Sequence, residues 1–417
     1  MEQILDLHIH SKYSRACSPQ LTLPNIEQTC RRKGVDIIAT GDFTYPAWFK
    51  HIKEELEEIQ QTGLFQLKKG DDAIKFILST ELSLVYKDDI KCRRIHLVLH
   101  APSLEAVAEL NAFLDQHYNI RSDGRPILGM TAPALVKLCL DIDPRFLIYP
   151  AHIWTPWYSV FGSKSGFDTL AECFKEQTKN IYAIETGLSS DPAMNWRLTA
   201  LDNLTILSNS DAHSLANIGR EANIFNMATV TYDEIYRIIT SQDKKNIVQT
   251  IEFYPEEGMY HYDGHRHCQI SFEPTITKKH KGICPVCKKP LVIGVMNRVE
   301  ELADRPTGAQ SPQAVSFIKL VELDKIIAQS LGLKSRQSKQ VATVYDRMIK
   351  HLGSELNILM KVDLETVKQI AGEKIALGVS HVRLGQLDIQ PGFDGQYGQI
   401  NVFSHEEQAI NQQIKLL

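Results

Sequence analysis

Residues 5–14 read LDLHIHSKYS, and their pattern decides the fold class. Leu5, Leu7 and Ile9 alternate with Asp6, His8 and His10. Alternation with period two predicts a strand, and residues two apart on a strand share a face. Both imidazoles therefore leave the same side, close enough to grip one metal ion.

The same design recurs outward from this stretch. VDIIATGD, FILSTELSL, IHLVLHAP, FLIYPAHIW, IYAIETGLS and LTILSNSDAHS are apolar runs that end in polar tips. Helical patterns such as LEAVAELNAFLDQHY and FDTLAECFKEQ lie between several of them. Continuous apolar strands with intervening helices predict an α/β fold with a parallel sheet covered on both faces. Six or seven such units fit a TIM-like barrel, whose chemistry collects at the C-terminal strand ends.

The polar tips carry Asp42, Glu81, His96 and His100, His152, Glu185, Asp211 and His213. The Asp-x-His pair at 211 and 213 mirrors the His-x-His pair at 8 and 10. Singly, each reads as a hydrogen-bonded residue at a strand end. Together they read as a metal cluster. Imidazole and carboxylate with no local thiol suit zinc, manganese or iron. The candidates exceed the four ligands of one zinc ion, so two or three ions are expected. Mixed His and carboxylate sites of this kind hydrolyse phosphoesters. No Gly-rich phosphate loop of the Walker type is present, which argues against nucleotide-driven motor work.

Composition bounds the rest. At 417 residues, two to four domains are expected. Net charge is -4, so a nucleic-acid role requires a local basic face. The N-terminus lacks the basic start and apolar run of a signal peptide, and no apolar segment is long enough to span a bilayer. A cytoplasmic, reducing location is expected, with the eight cysteines as thiols or metal ligands. Cys17, Cys30, Cys92, Cys139 and Cys173 are scattered, whereas Cys268, Cys284 and Cys287 are grouped.

The pattern changes after residue 245. His265 and Cys268 have the same gap as Cys284 and Cys287, with 15 residues between the halves. This spacing predicts a tetrahedral structural zinc, with His267, His261 and His280 as competitors for the fourth position. Lys278, Lys279, Lys281, Lys288 and Lys289 surround it and could track a phosphate backbone. The expected division is a barrel over residues 1–245, a zinc-binding module over 246–300, and a mainly helical region with a short β end over 301–417. In the latter, residues 316–333 read as one helix stopped by Gly332.

Loops at the catalytic end hold the four tryptophans, at 48, 154, 157 and 196. Trp157, Tyr158, Ser163, Lys164, Ser165, Asn195 and Arg197 are the candidate substrate contacts, suited to stacking and hydrogen-bonding a base extruded from a duplex. Arg121 and Arg125, in NIRSDGRP, are candidate phosphate contacts.

HIH, GDF, TEL, the strand histidine, PAH and SDAH resemble the polymerase and histidinol phosphatase (PHP) superfamily. That resemblance implies a distorted (β/α)7 barrel with a trinuclear centre. It implies metal ligands at His8, His10, Asp42, Glu81, His96, His152, Asp211 and His213, with Asp211, His213 and His152 in catalytic roles. Many relatives have His where this chain has Asp42.

Over its whole length, through GHRHCQI, PWYSVFGSKSGFD, SSDPAMNWR, NRVEELADRP and PGFDGQYGQI, the chain is similar to the endonuclease Q family. This implies a DNA repair endonuclease acting on uracil, hypoxanthine, xanthine and abasic sites, and cutting the phosphodiester 5′ to the lesion. The implied cofactors are one structural zinc and two or three catalytic divalent ions (zinc, with manganese, iron or magnesium as alternatives). Damaged DNA is the implied partner, in a nucleoid-associated cytoplasmic setting, and a replication sliding clamp is a further candidate. The alternative is a PHP-type phosphatase acting on a small phosphomonoester.

Overall fold

Strand Glu2–Asp6 lies in the middle of an eight-stranded sheet. Ile37–Ala39 flanks it in parallel and Ala222–Asn226 flanks it antiparallel. Beyond Asp6 the ladder is interrupted, because the Leu7 N–H donates to the Asn209 side chain (3.0 Å). Pairing resumes between Ile9 and Ala212, where the His10 N–H donates to the Ala212 carbonyl (3.1 Å). Leu7 and Ile9 are buried on one side, and His8 and His10 are buried on the other. The alternation therefore separates an apolar core from a polar interior.

The computed structural model describes residues 1–71, 73–88 and 90–404. Its α/β architecture departs from an all-parallel sheet. Ser79–Asp88 and Lys91–His100 form a long antiparallel hairpin, and Leu147–Pro150 pairs antiparallel with the latter strand. The connection at residues 89–90 is far too short for a crossover helix, and a parallel pair needs about a dozen linking residues. Ala183–Glu185 and Thr205–Leu207 form a separate parallel pair. Hydrogen bonds from Ala101 to Leu78, Ile153 to Glu185 and Thr186 to Leu207 tie the neighbouring strand ends together.

Helices Leu23–Lys33, Leu104–His117, Ala132–Ile142 and Tyr232–Ser241 each bury an apolar face in one continuous core. Ser103, Thr131 and Thr231 cap three of them through their side-chain oxygens.

The boundary expected at residue 245 falls inside this sheet. Strand Ile247–Glu252 pairs with Ala222–Asn226, and Ser316–Lys319 then adds to it in parallel. Residues 316–319 are therefore a strand, and helix begins only at Leu323 and runs to Leu331. Apolar spacing over four residues cannot distinguish the two, and the open sheet edge decides. Residues 363–379 have apolar residues at helical spacing but form two helices, because Gly372, with a φ of 96°, ends Leu364–Ala371 before Glu373–Leu384 starts. Buried Lys33 and Glu355, 2.9 Å apart, join the first helix to the C-terminal helices. Between Tyr254 and Val295, no described side chain belongs to the common core. No described helix is long and apolar enough to cross a membrane.

Candidate metal centre

The strand ends bring two groups of donors together. His8, His10, Glu81 and Asp211 offer atoms that lie within 4.8 Å of one another, and so do Glu81, His96 and His152. Glu81 belongs to both. One of its oxygens lies 2.7 Å from His96 Nδ1 and 3.1 Å from His152 Nε2. The other lies 3.2 Å from His10 Nε2 and accepts a hydrogen bond from Arg125 (2.9 Å). His10 Nε2 is also 3.0 Å from Asp211.

The donor set fits divalent ions. Nitrogens of His96 and His152 converge to 3.3 Å beside a carboxylate oxygen. His8 Nε2 is buried without a hydrogen-bond partner, yet it faces Glu81 and Asp211 at 3.7 and 3.8 Å. Burial holds the His96 imidazole neutral, with its pKa lowered to about 4. Burial opposes protonation of His8 and His10 too, but Glu185 beside His8 and Asp42 beside His10 overcome it and raise both pKa values. For Glu81 the burial cost is outweighed by the Arg125 guanidinium and by hydrogen bonds from His10 and His152, so its carboxyl sits well below its usual range.

Asp42 is not in either donor group. One oxygen lies 3.1 Å from His10 Nδ1, and the other accepts from the Ser11 N–H and hydroxyl and the Ser14 hydroxyl. It stands behind His10, as Glu185 stands behind His8 at 3.0 Å from Nδ1. A carboxylate there fixes the ring and its tautomer, leaving Nε2 free for an ion. His213 also lies outside the groups; its Nδ1 is 2.9 Å from the Asp211 carbonyl and its ring packs edge-on to His10. His100 is engaged instead with Tyr149 (3.0 Å).

Backbone strain aims the cluster. Asp42, His152 and Asp211 have φ of 48°, 29° and 46°, a region that non-glycine residues seldom adopt. The loop carrying Arg125 reaches in because residue 124 is glycine: a Cβ there would lie 2.5 Å from Asp42 Oδ2.

Replacing Asp42 by Asn or Glu185 by Gln is expected to weaken metal retention about 10–100-fold without displacing a direct donor. A chelator titration followed by metal analysis measures this. Unchanged retention in both variants would remove their orienting role.

The predicted substrate residues divide. Ser163, Lys164 and Ser165 line a groove of about 810 Å³ with Lys91, Arg94 and Trp157. The Tyr158 ring lies 4.7 Å from that of His96. Asn195 and Arg197 are buried elsewhere: Asn195 accepts from Trp154 and donates to Ser190, while Arg197 donates to Glu300 and the Arg305 carbonyl. Both are saturated by structural partners, and neither lines the groove. Of the tryptophans, only Trp157 is exposed (40%).

In the second half, donor atoms of His265, Cys268, Cys284 and Cys287 also lie within 4.8 Å of one another. Strands Asp263–His265 and Ile270–Phe272 supply one side, and a tight turn in which Cys284 and Lys289 are hydrogen-bonded supplies the other. His280 stacks on Phe272 instead, and His261 lies outside the donor group.

The crystal structure of the lesion-specific endonuclease PfuEndoQ from Pyrococcus furiosus is similar at a TM-score of 0.85 and 30% identity, covering 100% of this chain and 99% of that one. This chain belongs to the endonuclease Q family. A second endonuclease Q structure, in complex with a 27-mer duplex that carries an abasic lesion at the active site, is 32% identical with a TM-score of 0.84 over 97% of this chain and 98% of that one. Residues 322–386 match the family model for the MJ0043 C-terminal domain. The uncharacterised protein MJ0043 of Methanocaldococcus jannaschii is 30% identical over 63% of this chain, and the match spans 33% of that longer protein.

Endonuclease Q membership covers both halves of the chain alike, because the similarity runs the full length. Sequence patterning counted Glu185 among the cluster residues and Arg125 among the phosphate contacts, but it did not show that Glu185 stands behind His8 or that Arg125 donates to Glu81. Glu185 had a signal, a carboxylate at a buried strand end; Arg125 had only its place in a polar loop.

Proposed function

We propose that this protein is a metal-dependent endodeoxyribonuclease that recognises deaminated bases and abasic sites in DNA and hydrolyses the phosphodiester 5′ to the lesion. The observation that carries this is Glu81 joining two groups of His and carboxylate donors, in a chain similar throughout to a lesion-specific endonuclease. The strand ends that converge on Glu81 support a distorted (β/α)7 barrel as its frame. His8, His10, Glu81, His96, His152 and Asp211 would hold the ions, with His213 at the rim. When bound, divalent ions supply Lewis-acid activation of a phosphoryl oxygen and of the attacking water.

The chain's own residues do the rest. Asp42 and Glu185 orient the imidazoles. Ser159 and Thr155, 3.1 and 3.2 Å from His152 Nδ1, hold that ring in place. Arg125 keeps a guanidinium beside Glu81, where it fits a non-bridging phosphate oxygen.

The groove beside the centre fits a DNA strand. Arg94 lies two residues before His96 on one strand, so both share a face about 7 Å apart. The Arg94 and His96 amides donate to the Ser165 and Tyr158 carbonyls, which anchors the loop carrying Lys164. Of the groove's acidic residues, Asp168 and Glu301 are paired with Arg298. Replacing Arg94 and Lys164 together by Ala is expected to lower the slope of log K against log salt by about 2, since each phosphate neutralised contributes about 0.9. Binding of lesion duplex in chelator measures it, and an unchanged slope would take the groove out of the DNA path.

The deciding experiment is a cleavage panel of duplexes with uracil, hypoxanthine, xanthine, an abasic site or no lesion, with and without chelator. Chelator-sensitive cuts 5′ to the lesions are expected. Turnover of a small phosphomonoester with no duplex cleavage would instead identify a phosphatase.

A further inference from the structure

Two buried carboxyl groups take no part in the metal centre. Ala222 pairs with Ile251 on an antiparallel ladder, so Glu221 and Glu252 lie one step further along, opposite each other. Both are fully buried. Opposite residues of a ladder project from the same face with Cβ atoms about 4.5–5.5 Å apart, and like charges there repel. Glu221 holds one oxygen on the Phe253 N–H (3.2 Å), beside the Glu252 backbone. Glu252 accepts from the Thr250 hydroxyl (2.5 Å) through one oxygen and from the Thr186 hydroxyl (3.1 Å) through the other.

Among the described residues, no cation answers this pair. The Arg220 guanidinium donates to the Ser210 carbonyl, and Lys319 is taken by Asp191 (2.8 Å) and Glu256 (3.4 Å). The second oxygen of Glu221, Oε2, is buried with no hydrogen-bond partner. Burial, with Glu252 close by, raises the Glu221 pKa well above its usual range, and burial pushes Glu252 up to about 8. Negative charge left unpaired at such depth is costly, so either protons or an ion must neutralise it.

The donor set selects the kind of ion. Two carboxylates and two hydroxyls offer oxygen alone, with none of the imidazole or thiol of the other two sites. Oxygen donors suit hard cations such as Mg2+ and Ca2+, and two carboxylates balance a double positive charge. Thr186 can send its proton to the Leu207 carbonyl (3.2 Å) and so turn a lone pair toward an ion.

We infer that Glu221 and Glu252, with the hydroxyls of Thr186 and Thr250, form a further site for a hard divalent cation of the Mg2+ or Ca2+ class, sharing no donor with the His-rich centre or the Cys/His group. The ion fastens separate strands together. Thr186 follows strand Ala183–Glu185, whereas Glu221 precedes Ala222–Asn226 and Glu252 ends Ile247–Glu252. The strand that carries Glu185, which backs His8, is thereby tied to the eight-stranded sheet.

The test starts from protein with zinc in its His-rich and Cys/His groups and free zinc removed. Separate equilibrium dialyses against Mg2+ and Ca2+ are expected to show one further equivalent per chain for at least one of them. At about a hundredfold excess over its Kd, that ion is expected to raise Tm by about 3 °C. In Glu221→Gln and Glu252→Gln the extra equivalent and the shift are expected to vanish. Without the ion, Tm of these variants should match or exceed that of wild type, because the amide removes the repulsion. No extra equivalent of either ion in wild-type protein would overturn the site and leave protons to neutralise the pair. An undiminished shift in both variants would overturn it too, by placing the ion elsewhere. The dialysis count needs only wild-type protein, so it decides even where a variant fails to fold.

Discussion

Glu81→Gln is expected to lower cleavage of lesion-containing duplex by about three orders of magnitude or more, with loss of more than one metal ion per chain. Glu81 is buried, and its two oxygens serve different donor groups: His96 and His152 on one side, His10 and Arg125 on the other. The amide keeps the shape but removes the negative charge that four cationic or ion-binding neighbours share. One face must also present an N–H where an acceptor is needed. Asp211→Asn disturbs a single group, near His10 and His8, and is expected to cost activity while retaining ions at His96 and His152. Metal analysis alongside single-turnover cleavage separates the two. Wild-type cleavage rates in Glu81→Gln would sink the shared-carboxylate arrangement.

The second large effect concerns the segment that carries the His265, Cys268, Cys284 and Cys287 donor group. Cys284→Ala is expected to remove one metal equivalent and to open the segment from about residue 259 to 294 to protease, with the other ions retained. The physical basis is the lack of an alternative. No described residue between Tyr254 and Val295 contributes to the common core, and the hairpin Asp263–His265 with Ile270–Phe272 is only three residues per strand. Such a hairpin is marginal alone. Zinc in finger-like modules contributes about 10–16 kcal/mol of apparent folding energy, far more than a short hairpin can replace. Full zinc content and protease resistance in Cys284→Ala would mean that other contacts hold the segment.

Much of this was legible in the chain itself. His8 and His10 announced their shared face by alternation, and Glu81, His96, His152 and Asp211 each end or punctuate an apolar run. Burial of a polar residue at a strand end requires a partner, so a series of such residues implies a common centre. The pairs His265/Cys268 and Cys284/Cys287 were likewise readable, because the two-residue gap is set by local turn geometry. What spacing could not show was the side of each ring a carboxylate approaches. Asp42 reads as a donor in sequence, yet its φ of 48° and its bonds to Ser11 and Ser14 turn it to the back of His10. Asn195 and Arg197 read as loop residues open to substrate, and tertiary contacts with Trp154 and Glu300 consume them.

By itself, then, the sequence determined the α/β class, the donor types and the pairing of His265/Cys268 with Cys284/Cys287, because these follow from short-range period and spacing. Only the tertiary structure decided which donors meet at Glu81, that Arg125 joins them, and that Trp157, Tyr260 and Tyr397 border one cleft. Those residues lie up to 240 positions apart, and nothing in local pattern encodes a contact made solely by packing distant segments together. The same reason explains the mixed strand directions: the hairpin of Ser79–Asp88 and Lys91–His100 and the late strand Ser316–Lys319 were placed by available edges rather than by their own alternation.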